Sequence, residues 1–221
     1  MIGRSDENRT EMQSPLHLST SANGAQCSTA RIRRAARTCG ACVGILLFDL
    51  MLGTAWHEIV GHGLTAVAFG ARITYVEVLG FEFFPHFRWV GVTGYFGQCS
   101  NSGVSGEFAN ALVLLCGSLS TWIVGVVCVV LLHVRRWRGW PRMLMIAMSI
   151  WWLDLFLYTL PSLGIPRYFF WGHLYSEPYK AAVALGVPGP VFQTFVVISS
   201  AVLAVALIRQ IGGRAARGAA E

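Results

Sequence analysis

The stretch Gly40–Gly70 reads GACVGILLFDLMLGTAWHEIVGHGLTAVAFG, and the rest of the chain is best read outward from it. It opens as an apolar run long enough to cross a bilayer, since about 20 helical residues span a hydrocarbon core of about 30 Å. Near its far end it carries His57-Glu58-Ile59-Val60-Gly61-His62. Two histidines and an acid are costly to place in such a segment, so a functional site is the reading they favour.

Composition agrees with a membrane setting. Of 221 residues, 54% are hydrophobic and only 13% charged, too few for the polar surface of a soluble domain of this size. The net charge of +6 does not point to nucleic acid. Its basic residues flank apolar segments and have no interleaved aromatics on which bases would stack.

Outward from the first span, Ala41–Leu64, three more are expected: Phe108–Leu132, Met143–Leu160 and Val191–Ile208. Residues 1–37 read as a disordered tail ending in Arg31, Arg33, Arg34 and Arg37, followed by an uncleaved signal-anchor. Residues 38–210 form the transmembrane domain and 211–221 a short C-terminal tail. Thirteen basic residues fall in the two tails and the loop holding Arg135, Arg136, Arg138 and Arg142, against four in the opposite loops. This bias predicts a multi-pass protein of the plasma (inner) membrane with both termini cytoplasmic. Between the first two spans, residues 71–97 are rich in strand formers such as Ile73 and Tyr75, punctuated by Gly80, Pro85, Gly91 and Gly94. The expected fold is an α-helical integral membrane protein of about four transmembrane helices. Two or three short strands at the membrane surface join the first two. A polar turn from Asn101 leads into the second span.

Six cysteines are scattered through the chain, and the lone pair Cys39/Cys42 reads as free thiols at a membrane boundary rather than a metal or redox site. Gly117, Thr121 and Gly125 recur every four residues, a spacing that lets helix backbones approach closely. Asp154 lies deep in the third span, where it needs a cavity or a partner.

Zinc hydrolases commonly present His-Glu-x-x-His, because four residues bring two imidazoles to one helix face. Here the histidines are five apart, which on a regular α-helix separates them by about 140°. Two resolutions are open. A π-bulge near Gly61 restores a common face and keeps Glu58 free as a base; alternatively Glu58 and His62, four apart, face one metal.

From His57–Gly70, through the strand-like 71–97 region, to Leu112–Gly125, the chain resembles the site-2 protease family of intramembrane zinc metalloproteases. Gly117-Ser118-Leu119-Ser120-Thr121 stands where that family has Gly-Pro-x-x-Asn. Asp154, followed by Pro161-Ser162, stands where it has an aspartate before Gly. The resemblance implies a zinc ion held by His57, His62 and Asp154, with Glu58 as general base, and a transmembrane protein substrate added to the strands as a further strand. Asp49, and the pair His173 and Glu177, are further candidates for the third ligand; His17, His86 and His133 read as incidental. Competing readings are a non-catalytic protease-like binding or assembly partner in the lipid bilayer, and an ion- or proton-coupled transporter using Asp49, Glu58 and Asp154. A di-iron hydroxylase needs more histidines than six.

Overall fold

The computed structural model describes residues 20–91, 96–166 and 175–218. Contacts divide the chain into two units, Met1–Gly44 and Ile45–Glu221. In the first, the described residues form the beginning of helix α1, Thr20–Ala55. The helix thus starts inside the stretch expected to be a tail, where Ala and Arg, both good helix formers, are frequent. In the second unit α1 runs without a break into a π-helix, Trp56–Leu64, and then α2, Thr65–Ala68. The π-helix covers the whole motif and resolves the five-residue spacing, because i→i+5 bonding brings residues five apart nearly into line.

Among the described residues, four helices are long and apolar enough to cross a membrane: Cys42–Ala68, Glu107–Val134, Gly139–Leu163 and Gly189–Ile211. Their outer faces expose Leu46, Phe48, Val130, Val191, Ile198 and Val202, an apolar surface of the kind that meets lipid. The second span is helix α3, Glu107–Val134. It packs against the π-helix, α4 (Gly139–Ser149), α5 (Trp152–Thr159), α6 (Glu177–Ala184) and α7 (Gly189–Gly218), and so stands at the centre of the second unit. Helix α7 continues through most of the expected C-terminal tail.

The third span, expected to be one helix, is interrupted between α4 and α5. Ile150, Trp151, Leu153 and Asp154 each donate their N–H to the residue three back, at 2.9–3.2 Å. The tighter turn sets the directions of Trp151 and Asp154. Leu155 of α5, Ala182 of α6, and Phe192 and Val196 of α7 form one core cluster; Val129, Trp152 and Leu203 form another.

Between the first two spans lies an antiparallel sheet of four strands, more than the two or three expected: β1 Arg72–Val78, β2 Phe81–Phe84, β3 Arg88–Trp89 and β4 Gly97–Ser102, in the order β3-β2-β1-β4. Asn101 and Ser102, expected in a turn, pair with Ile73 and Arg72 instead. Leu79 and Gly80 connect β1 to β2 with φ of 50° and 80°. Two consecutive left-handed residues match the twist of a tight hairpin, and glycine adopts one of them without strain. Arg88 Nε donates to Glu82 Oε2 at 2.6 Å, and this bond holds the buried Glu82 carboxyl below its ordinary value. Strand β4 lies against the π-helix and so brings the sheet to the motif.

Candidate metal centre

The π-helix turns both imidazoles of the motif toward α3. His57 Nε2 and His62 Nε2 face each other 3.1 Å apart, and both side chains are buried. Each remaining ring nitrogen is tethered. His57 Nδ1 meets Asp154 Oδ2 at 2.6 Å, and His62 Nδ1 meets the Val113 carbonyl at 2.7 Å, a contact in which the ring N–H donates. With both Nδ1 positions committed to acceptors, the Nε2 lone pairs are left to converge.

Close helix approach makes this possible. A Cβ on Gly61 would stand 2.5 Å from Gly117 Cα and 2.8 Å from the Cys116 carbonyl, so the π-helix and α3 touch backbone to backbone there. A Cβ on Gly117 would stand 2.5 Å from His62 Nε2 and 2.6 Å from His57 Nε2. The four-residue stripe on α3 therefore does more than pack. Gly117 leaves room for the rings, Thr121 Oγ1 donates to Asp154 Oδ2 at 2.7 Å, and Gly125 admits the Trp152 backbone.

The third group at the paired nitrogens is Glu177. Its Oε2 lies 3.7 Å from His62 Nε2, and the ligand atoms of His57, His62 and Glu177 all lie within 4.8 Å of one another. These three residues form a group that can hold a metal ion. The donor chemistry fits. Two nitrogens bound at about 2.0–2.1 Å in a tetrahedral site stand about 3.3 Å apart, close to the spacing of the two Nε2 atoms. Asp154 stands on the opposite edge of the His57 ring from that convergence, as the acceptor that orients it. Of the other candidates for a third ligand, Asp49 bonds Trp151 Nε1 at 3.0 Å and His173 lies outside the described residues. Glu177 is the third-ligand candidate, offered by the sequence beside His173, that the structure brings to the histidines. Its position at the start of α6, followed by Pro178, was the available signal for a fixed carboxylate.

Glu58 adjoins His57 on the π-helix and is buried. Strand β4 holds it: the Cys99 backbone N–H bonds its carboxylate, and a Cβ on Gly97 would stand 2.7 Å from its Oε1. Burial pushes the Cys99 thiol up to about 11, which keeps it protonated beside the carboxylate. The Tyr158 ring centroid lies 5.2 Å from that of His57 and completes the surround. Of the histidines expected to be incidental, His86 is exposed near Glu82 and His133 Nδ1 bonds its own helix at Val129; His17 lies outside the described residues. Cys39 and Cys42 are free.

No protein-family model matches the chain, and no curated protein or solved structure is significantly similar to it.

Proposed function

We propose that the chain is a zinc-dependent peptidase of the site-2 protease type, embedded in the inner membrane and hydrolysing a peptide bond of a membrane-embedded substrate. The observation that carries this reading is the pair of Nε2 atoms at 3.1 Å, each ring tethered through Nδ1, beside a buried glutamate on the same π-helix. Tethers of this kind, to a carboxylate and to a backbone carbonyl, are what ligating imidazoles require for a fixed tautomer and direction.

In this reading His57, His62 and Glu177 hold the ion, and Asp154, itself fixed by Thr121, keeps the His57 ring directed at it. Bound zinc supplies Lewis-acid chemistry: it lowers the pKa of water toward about 7 and polarises a carbonyl. Glu58 takes a proton from the attacking water and passes it to the leaving amine. The Cys99 N–H and the close approach of Gly97 hold that carboxylate in one position. Water reaches the peptide bond only within the protein, because lipid surrounds the helices.

Glu58→Gln in the purified full-length protein tests the roles together. Zinc should remain, and cleavage of a transmembrane substrate should fall by about 10²–10⁴-fold, the usual contribution of a general base. Unaltered cleavage would remove Glu58 from the mechanism.

A further inference from the structure

A cavity of about 330 Å³ lies between the first and third spans. Its wall on the first span takes Leu46, Asp49, Gly53, Thr54, His57 and Glu58, one helix face reaching about 18 Å at 1.5 Å per residue. Toward one end it is lined by His57, Glu58 and Asp154, and toward the other by Asp49 and Leu46. The threonine hydroxyls along the wall are committed within the protein: Thr54 Oγ1 donates to the Leu50 carbonyl, and Thr121 Oγ1 to Asp154. Asp49 differs. It is 4% exposed, one oxygen accepts from Trp151 Nε1, and among the described residues the other has no hydrogen-bond partner. Asp49 lines the cavity, so a donor carried by an occupant can pair with that oxygen.

We infer that Asp49 is a specificity subsite that accepts a hydrogen bond from a hydroxyl- or amide-bearing side chain of the transmembrane polypeptide being cleaved. The inference rests on the peptidase reading for its substrate class. Depth favours a polypeptide over a lipid. Asp49 lies seven residues inside the span that begins at Cys42, about 10 Å along the helix, whereas lipid hydroxyls sit at the interface. A polypeptide span carries Ser, Thr or Asn at that depth. Eight residues separate Asp49 from His57, about 12 Å, so the recognised side chain falls about four residues from the cleaved bond if the segment is extended and about eight if it is helical.

The test is a binding measurement that needs no turnover. Full-length protein carrying Glu58→Gln, in nanodiscs, is titrated with a Leu/Ala transmembrane peptide bearing one serine at stepped positions, and with its all-alanine parent. The serine peptide at the favoured position should bind about three- to tenfold more tightly, the usual worth of one hydrogen bond. Adding Asp49→Leu should abolish the preference, because its side chain offers the serine neither an acceptor nor a donor. Equal binding of the two peptides, a preference that survives Asp49→Leu, or displacement of the peptide by equimolar monoacylglycerol would each overturn the inference. Preferential binding without cleavage of any substrate supports the subsite and defeats the peptidase reading. Cleavage without preference does the reverse.

Discussion

In the proposed centre, Asp154 would orient a ligand and Glu177 would be one. Asp154 meets His57 through Nδ1, so Asp154→Ala should weaken zinc binding by about 10–100-fold while leaving the site fillable at saturating metal, as loss of an outer partner typically does. Glu177→Ala removes a group placed among the ligand atoms and should abolish stoichiometric binding. Equilibrium dialysis against graded free zinc separates the two behaviours. Gly117 is as demanding as any ligand. A methyl group there meets both rings, so Gly117→Ala should cost about 1–3 kcal/mol through overpacking and deplete the metal, read by thermal unfolding and elemental analysis together. In the sequence the two histidines, Glu58 and Asp154 stood out because each is polar within an apolar run. Glu177 was one of several third-ligand candidates and stood out less, because it lies in a polar loop where an acid is ordinary.

The π-helix is the element on which the site depends. Its presence follows from a five-residue spacing that an α-helix cannot place on one face, so that part of the local structure was legible once the histidines were supposed to act together. Deleting Ile59, which is 37% exposed, restores a four-residue spacing and should leave an ordinary α-helix that still binds zinc. Inserting an alanine at the same place should abolish binding. Helicity and metal content of the two variants decide. The interruption of the third span was not legible, since Trp151 and Trp152 fit a continuous helix as well as a broken one, and only packing against Asp49 and Gly125 distinguishes them. In the sheet, Arg88 holds the folded-state pKa of Glu82 below its unfolded value, so the hairpin's stabilisation is present above about pH 4.3 and is lost as pH falls through the lowered folded value. Arg88→Ala should weaken that dependence, leaving the smaller part that the His86 backbone N–H supports. Amide-exchange protection of residues 81–89 between pH 7 and pH 3, corrected for intrinsic rates, is the measurement.

Among the described residues, four helices are apolar enough to span a membrane, and a small sheet follows the first. That much was readable from hydropathy and from β-branched and aromatic residues, because lipid and sheet impose simple demands on composition. What gathers around the histidines was not, because α3, β4, α5 and α6 converge from distant parts of the sequence. The arginine bias predicts both termini in the cytoplasm, so a reporter fused within residues 85–90 should behave as non-cytoplasmic; cytoplasmic behaviour would reverse the orientation. The central claim is that two imidazoles of one π-helix and the Glu177 carboxylate hold a single ion. Elemental analysis of full-length protein purified at saturating zinc tests it most directly. It should find one zinc per chain in the unaltered protein and in Asp154→Ala, and almost none in His57→Ala, His62→Ala or Glu177→Ala. Full zinc in Glu177→Ala with none in Asp154→Ala would contradict it.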